Sequence, residues 1–267
     1  MKNFFQKLKN SFRKRRQTIR NLSIRGILIK LNLVSGNYMV FDGIKVPFRK
    51  ITKASLLELE RGSYEDMERS FMESYLPRGA FVVELGASIG IISCHILKKE
   101  PVRLISFEAV EKWAQIARET LKLNYPKDTS FELVHAALGA VGQSQVIFNT
   151  TDHCNLGGHI LSAASDTSIV VPALSLFDVN RIYHVPAGAW LIMDIEGTEW
   201  EIVKNQSVAL KRYQGVIVEC HHCVHGELSV TPKEIVAEFI KNGFTLIKKA
   251  HHGSHIVAVF TFTPNQA

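Results

Sequence analysis

Several features that would identify other classes of protein are scarce or missing in this sequence. The 267 residues include only four cysteines, at irregular spacing, which is too few for the disulfide framework of a secreted protein. We therefore expect free thiols and a reducing, cytoplasmic compartment. No run reaches the roughly eighteen apolar residues that a membrane-spanning helix needs, because Lys30 interrupts the best N-terminal stretch. The same interruption argues against a secretory signal peptide.

Acidic residues are missing from residues 1–30, which carry ten lysines and arginines. The rest of the chain holds 22 basic and 25 acidic residues, so the net charge of +7 comes from this N-terminal arm. Phe5, Leu8 and Phe12 recur at helical spacing, which predicts a cationic amphipathic helix. We expect this helix to contact an anionic membrane surface; a solvated tail and a transit peptide are the alternatives. The slightly acidic body argues against a nucleic-acid partner.

The remaining chain divides into two predicted parts. Residues 31–78 contain a small β-hairpin that turns at Asp42-Gly43 and a helix that ends near Pro77 and caps the next domain. Residues 79–267 alternate short apolar runs with amphipathic helices, which is typical of an α/β fold with a parallel sheet. The predicted strands are 81–85, 103–107, 131–138, 169–174, 189–195 and 215–220, followed by a helix at 232–241 and a terminal antiparallel hairpin at 244–248 and 256–262.

A loop with two glycines follows the first predicted strand of the sheet. It reads Glu84-Leu85-Gly86-Ala87-Ser88-Ile89-Gly90 and places small residues where the backbone must turn beneath a ligand. Glu108 ends the second strand, 22 residues beyond Gly86, where an acid can accept hydrogen bonds from both ribose hydroxyls of a nucleoside. The middle glycine of dinucleotide-binding loops is missing and Glu84 would repel a pyrophosphate, which disfavours NAD. S-adenosylmethionine, with its amino-acid group and cationic sulfur, is better suited.

The same loop also matches G-x-S-x-G, the nucleophile elbow of α/β-hydrolases, with Ser88 as the nucleophile. Asp194 and a later histidine would complete a catalytic triad in the required order. However, an elbow normally follows strands that supply the oxyanion-hole loop, whereas this loop follows the first strand of the sheet. A serine hydrolase is therefore the weaker alternative, and a tight turn without a ligand is another.

The ordered motifs resemble those of the FkbM-type S-adenosylmethionine-dependent methyltransferases, which have the class I Rossmann-like fold. The resemblance spans residues 62–262 and implies a mostly parallel seven-stranded sheet with a terminal antiparallel hairpin and helices on both faces. It implies methyl transfer, usually to a hydroxyl of a sugar, glycan or other small metabolite. Its markers are Tyr64-Glu65, the loop at 83–90, Phe107-Glu108-Ala109, Ala137-Leu138-Gly139, residues 193–199 and Val218-Glu219-Cys220-His221.

The resemblance leads us to assign a set of residues to cofactor binding. Glu84, Ser88 and Ala109 depart from the commoner Asp, Asn and Pro, but the first two keep a polar side chain. The assigned residues are Tyr64, Glu65, Glu84, Gly86, Ala87, Ser88, Gly90, Glu108, Ala109, His135 and Ala136.

Acidic residues follow the ends of two later strands. Asp194 and Glu196 come after the fourth main strand and Glu219 ends the fifth, so all three should approach the sheet edge where α/β folds bind ligands. Two close carboxylates raise one another's pKa, which suits Asp194 to orient the acceptor or remove its proton. His221 is the second candidate base, because the reference pKa of histidine is about 6.5. We assign Asp194, Glu196, Glu219 and His221 to the catalytic site. A capping role for Glu196 and a solvated Glu199 are the structural alternatives.

Six of the eleven histidines fall late in the chain, near the Cys220-x-x-Cys223 pair. Together with His251 and His255 the two cysteines would offer four zinc ligands, but their separation is unlike that of common zinc modules. We therefore expect no metal. A methyltransferase-like binding module that no longer catalyses is the alternative from another functional class.

Overall fold

The computed structural model describes residues 38–47, 59, 64–149, 159–161, 168–225 and 228–263. The predicted N-terminal arm lies outside these residues. The chain divides into two compact units, Met1–Tyr64 and Glu65–Ala267, and our predicted domain boundaries after residues 30 and 78 stay predictions. Within the described ranges, no helix is long and apolar enough to cross a membrane.

The described part of the first unit contains the predicted β-hairpin. Strands β1 (Met39–Phe41) and β2 (Ile44–Val46) pair antiparallel on either side of Asp42 and Gly43. Both turn residues have positive φ, 46° and 77°. This is the geometry that a two-residue hairpin turn requires, and it explains the Asp-Gly dipeptide.

The second unit alternates strands and helices, as the sequence predicts. In chain order its elements are α1 (Asp66–Tyr75), β3 (Phe81–Leu85), α2 (Ile91–Leu97), β4 (Arg103–Glu108), α3 (Glu111–Asn124), β5 (Phe131–His135), β6 (Ala137–Leu138), β7 (Gln145–Asn149), β8 (His159–Leu161), β9 (Ser168–Leu174), α4 (Leu176–Ile182), β10 (Ala189–Met193), α5 (Glu199–Asn205), α6 (Ser207–Leu210), β11 (Tyr213–Cys220), β12 (Cys223–His225), β13 (Leu228–Val230), α7 (Pro232–Lys241), β14 (Thr245–His252) and β15 (His255–Thr261).

A seven-stranded sheet forms the centre of this unit, in the order β5-β4-β3-β10-β11-β15-β14. The strands from β5 to β11 are parallel, and β15 runs antiparallel to both of its neighbours. The predicted mostly parallel sheet with a terminal hairpin is therefore confirmed. Chain order reverses between β3 and β10, and ligands bind beyond the carboxyl ends of strands at such a switch point.

Two of the strand predictions are wrong in detail. The predicted single strand 131–138 is divided at Ala136 into β5 and β6, which belong to different sheets. The predicted strand 169–174 lies outside the main sheet, because β9 pairs with β6 and β7 in a separate four-stranded sheet. The residues of β10 are all buried, whereas β9 exposes Val170 at 66%. The central strand β10 is thus buried on both faces, whereas β9 of the smaller sheet exposes one face.

Gly86, directly after β3, has no room for a side chain. Its φ is +92°, and a Cβ there would lie 1.8 Å from the carbonyl oxygen of Asp194, just beyond β10. Gly142 also has a positive φ, +81°, but a Cβ there would meet nothing within 4 Å. A side chain would thus meet both a steric clash and left-handed backbone strain at Gly86, but backbone strain alone at Gly142.

We expect Gly86→Ala to lower the free energy of unfolding by about 2–4 kcal/mol, because the end of β10 must move. Gly142→Ala should cost about 1 kcal/mol, from backbone strain alone. Urea denaturation of both variants measures the difference. Equal losses would show that the contact between Gly86 and Asp194 is not a tight one.

Candidate active site

The loop between β3 and α2, residues 86–90, is called the first loop and lies against the end of β10. The amides of Gly86 and Ala87 both donate to the carbonyl oxygen of Phe107 at 2.9 Å, and the amide of Asp194 donates to that of Leu85 at 3.0 Å. These bonds hold the carboxyl ends of three adjacent strands together. The loop and the predicted catalytic acid therefore meet at the switch point.

The second half of the loop has left-handed backbone at Ser88, with φ 49°, and at Gly90, with φ 82°. Asparagine adopts this conformation more readily than serine, which accounts for the asparagine that the family pattern favours at position 88. A Cβ at Gly90 would lie 3.0 Å from the Cα of Ala117. Gly90 thus allows α2 to begin close to α3.

Glu84 is almost fully buried at the end of β3, with 1% of its surface exposed. Its Oε2 accepts hydrogen bonds from the hydroxyls of Ser93, at 2.6 Å, and Ser106, at 2.5 Å. Its Oε1 is buried without a hydrogen-bond partner. Burial raises the pKa of Glu84 to about 7, against the lowering effect of the two hydroxyls. One oxygen of this carboxyl group is therefore available to a donor from a ligand.

Glu108, at the end of β4, fixes the first loop through a hydrogen bond from the backbone of that loop. Its Oε2 accepts from the amide of Ser88 at 2.7 Å and its Oε1 from the amide of Val110 at 2.8 Å. Burial raises the pKa of Glu108 to about 7, although these backbone donors act in the opposite direction. A carboxylate offers about four acceptor positions, so both oxygens retain capacity for ligand hydroxyls.

His135 and Ala136 follow β5 next to Glu108. The His135 ring is held from both sides, with Nε2 3.0 Å from the carbonyl oxygen of Ala109 and Nδ1 2.9 Å from Oε2 of Glu111. The amide of Ala136 donates to the carbonyl oxygen of Glu108 at 3.1 Å. The structure thus brings these predicted cofactor residues together at one edge of the sheet.

Tyr64 and Glu65 fall on either side of the boundary between the two units. Tyr64 ends the first unit, and its position is described only within that unit. Glu65 has left-handed backbone, with φ 47°, immediately before α1. It lines the same cavity as Glu84, Gly86 and Asp194, so it joins the predicted cofactor residues.

His221 lies at the centre of the predicted catalytic acids. Its Nδ1 is 2.9 Å from Oε1 of Glu199. Its Nε2 faces three further carboxyl groups, each from 3.5 to 3.9 Å away: Glu196, Asp194 and Glu219. The structure therefore brings together all four residues that the sequence predicts as catalytic.

The pKa values of the residues in this cluster differ from those of isolated side chains. Burial opposes a charge on His221, but the carboxylates of Glu199, Asp194 and Glu196 outweigh it and raise the pKa of the ring well above its ordinary value. Burial also raises the pKa values of Asp194 and Glu219. The raised pKa of the His221 ring favours a role in orienting carboxylates over a role as the base.

Glu199 has a structural role that the sequence did not reveal. It is fully buried, not solvated. Besides His221, it accepts hydrogen bonds from the amides of Ile195 at 3.1 Å and Gly197 at 2.9 Å. Glu199 therefore fixes both the loop after β10 and the orientation of the His221 ring. The sequence feature that could have indicated this role is its place as the last acid of the D-x-E-G-x-E segment, at the start of α5.

Three further residues belong to the site, although the sequence assigned them neither to cofactor binding nor to catalysis. Glu68 of α1 is buried, and its carboxyl group lies near that of Glu219. His252 and His255 each place Nδ1 3.2 Å from Oε1 of Glu219. The cysteines of the zinc alternative are elsewhere: Cys220 lies in the apolar core, and Cys223 packs against it.

Comparison with known proteins agrees with this fold. The Methyltransferase FkbM domain matches residues 84–246. No significant match was found among curated protein sequences. Among solved structures, the chain is similar to a Streptococcus mutans protein described as a SAM-dependent methyltransferase, with 10% identity and a TM-score of 0.51 over 85% of this chain and 56% of that one.

Two other similar structures come from archaea. Fibrillarin from Aeropyrum pernix, solved with natively bound S-adenosyl-L-methionine, shares 10% identity and a TM-score of 0.44 over 73% of this chain and 74% of that one. A Pyrococcus horikoshii protein described as an RNA methyltransferase shares 12% identity and a TM-score of 0.42 over 90% of this chain and 96% of that one.

The matched domain covers more than half of the chain and includes the first loop, Glu108, Asp194 and Glu219. Ser88 lies inside it, which removes the support for a serine hydrolase. The chain therefore belongs to the FkbM methyltransferase family and is an S-adenosylmethionine-dependent methyltransferase.

Proposed function

We propose that the enzyme methylates a hydroxyl oxygen of a sugar, glycan or other small metabolite. The observation that supports this most directly is that the start of the first loop and two of the catalytic acids, Asp194 and Glu219, line one cavity. Its walls include Glu68, Glu84, Gly86, Asp194 and Glu219. A neutral hydroxyl must lose its proton as it attacks the methyl group, and carboxylates within reach can accept that proton.

The residues of the first loop fit the cofactor. The unpaired Oε1 of Glu84 can accept a hydrogen bond from the ammonium group of the methionine part. Glu108 can accept the ribose hydroxyls with the acceptor positions that its two backbone donors leave free. The other residues proposed to contact the cofactor are Tyr64, Glu65, Gly86, Ala87, Ser88, Gly90, Ala109, His135 and Ala136.

The catalytic cluster supports an in-line transfer. When bound, S-adenosylmethionine supplies the methyl group: the carbon–sulfur bond breaks, a carbon–oxygen bond forms, and S-adenosylhomocysteine leaves. Asp194 accepts the hydroxyl proton, because it lines the cavity beside the first loop and burial raises its pKa to about 8, which makes its carboxylate a stronger base than an exposed one. Glu196 and Glu219 orient the acceptor, and His221 fixes the carboxylates around it.

Glu84→Gln tests the proposed contact with the ammonium group. The amide can keep an acceptor for Ser93 and Ser106 while removing the negative charge. We expect cofactor affinity to fall about tenfold or more at pH 8, measured by calorimetry. In the wild type, affinity should fall as pH drops below about 7, where Glu84 gains a proton. Glu108 titrates in the same range, so the variant should keep a smaller pH dependence.

The same variant should be more stable than the wild type at pH 8. The raised pKa means that native Glu84 holds a proton between pH 4.5 and about 7 that the unfolded chain has lost, so its contribution to stability falls as pH rises through this window. Removing the buried charge should therefore raise the free energy of unfolding by about 1–3 kcal/mol. A variant that is less stable and binds the cofactor normally would contradict both roles of Glu84.

Asp194→Asn tests proton removal separately from cofactor binding. We expect kcat to fall by about 10²–10⁴ while affinity for S-adenosylmethionine changes only a few-fold. The assay is release of S-adenosylhomocysteine with a panel of sugars, glycans, small hydroxylated metabolites and RNA. Turnover on RNA alone would overturn the proposed acceptor class. Cofactor binding without turnover on any acceptor would favour the inactive binding module.

We also propose that residues 1–30 hold the enzyme at an anionic, cytoplasmic membrane face. The ten basic residues and the apolar stripe of this arm support the proposal. In a flotation assay with vesicles containing anionic lipid, the full chain should float and a chain lacking residues 1–30 should not. Both should remain at the bottom with neutral vesicles. Equal flotation of the two chains would exclude the arm as the anchor.

A further inference from the structure

A group of two carboxylates and two imidazoles lies beside the catalytic cluster. It consists of Glu68 on α1, Glu219 at the end of β11, and His252 and His255 at the turn between β14 and β15. The ligand atoms of Glu68, Glu219 and His252 all lie within 4.8 Å of one another. We propose that these four residues bind a divalent transition-metal ion.

The terminal hairpin explains how two histidines reach one carboxylate. His252 and His255 are directly opposite in the register of β14 and β15, so their side chains project from the same face. Each Nδ1 lies 3.2 Å from Oε1 of Glu219. Ligand atoms that bind one ion at about 2.0–2.2 Å are separated by about 2.8–3.6 Å, so each histidine lies at the distance from Oε1 of Glu219 that two ligands of one ion would have.

Glu68 provides an independent reason to place a cation here. Only 5% of its surface is exposed, and both of its carboxylate oxygens are buried without a hydrogen-bond partner. Within the described ranges, no lysine or arginine forms an ion pair with Glu68 or Glu219. Buried carboxyl groups are normally paired, protonated or bound to a metal ion, so a cation between Glu68 and Glu219 would stabilise both groups.

His221 does not fill this requirement. Its Nδ1 is bound to Glu199, and its Nε2 is 3.9 Å from Oε2 of Glu219, the oxygen that the other two histidines do not contact. Oε1 of Glu219 therefore faces the proposed ion while Oε2 faces the catalytic cluster. Glu219 can serve both sites through different atoms.

The mixture of ligands indicates the class of ion. Carboxylates alone suit Mg²⁺ and Ca²⁺, whereas imidazole suits zinc, iron, nickel and copper. Two of each favour a first-row transition ion such as Zn²⁺, Mn²⁺ or Co²⁺. The ligands differ from the cysteines that the sequence suggested, and our expectation that the chain has no metal changes accordingly.

An ion at this position would lie on the acceptor side of the cavity, next to Asp194. There it could bind the acceptor oxygen and favour loss of its proton. This use of the ion rests on the proposed function, whereas binding of the ion does not. The two can therefore fail separately.

The test uses the full chain, stripped of metal with a chelator and titrated without cofactor. Co²⁺ binding is followed by its visible absorption, and Zn²⁺ and Mn²⁺ binding by calorimetry. We expect one ion per chain, with binding weakened about tenfold or more in Glu68→Gln and in His252→Asn. Titration of S-adenosylmethionine into the same samples shows independently whether the cofactor site is intact.

Two neighbouring residues provide matched controls. Glu73 is exposed on the same helix as Glu68, and His251 is exposed and adjacent to His252 on β14. Glu73→Gln and His251→Asn should bind the ion like the wild type, and melting temperatures confirm that each variant folds. No saturable binding by the wild type would overturn the site. The site would also be overturned if ion binding were unchanged in Glu68→Gln and His252→Asn, or if it were lost in His251→Asn.

Discussion

The close approach of Gly86 to the end of β10 is the constraint on which the rest of the site depends. The carbonyl oxygen of Asp194 occupies the space that a side chain at position 86 would need. This contact fixes the first loop against the strand that carries Asp194. It therefore brings two segments more than a hundred residues apart to one edge of the sheet, where both line the same cavity.

Many carboxyl groups lie at that edge. A folded protein tolerates buried carboxyl groups only when each has a hydrogen-bonding or charged partner. Glu84 is bound by two serine hydroxyls, Glu108 by two amides, and Glu199 by two amides and His221. Glu68 and one oxygen of Glu84 have no such partner, whereas Oδ1 of Asp194 lies 3.7 Å from Nε2 of His221. Because buried charges are stable only when compensated, the uncompensated oxygens mark where cationic ligands belong.

Sequence reasoning succeeded where the signal is local. The path from β3 through the loop to α2, and the acid at the end of β4, follow from spacing along one stretch of chain. The roles of His252, His255 and Glu68 depend on tertiary contacts. The sequence predicted the helix that ends near Pro77 but assigned no role to Glu68, whereas the buried residues of α1 are Glu68, Phe71 and Met72. A buried glutamate breaks the hydrophobic periodicity, so the pattern alone does not identify it.

Charge balance links the acidic cavity to the proposed reaction. Transfer of the methyl group removes the positive charge from sulfur, and the acceptor hydroxyl releases a proton at the same time. If Asp194 takes that proton, the cavity loses one positive and one negative charge together, so its net charge is the same before and after transfer. The buried carboxylates then need no rearrangement of water to accommodate the products, which is the advantage of a preorganised site. A neutral residue in place of Asp194 would leave the released proton to Glu196 or Glu219, the other carboxyl groups that Nε2 of His221 faces.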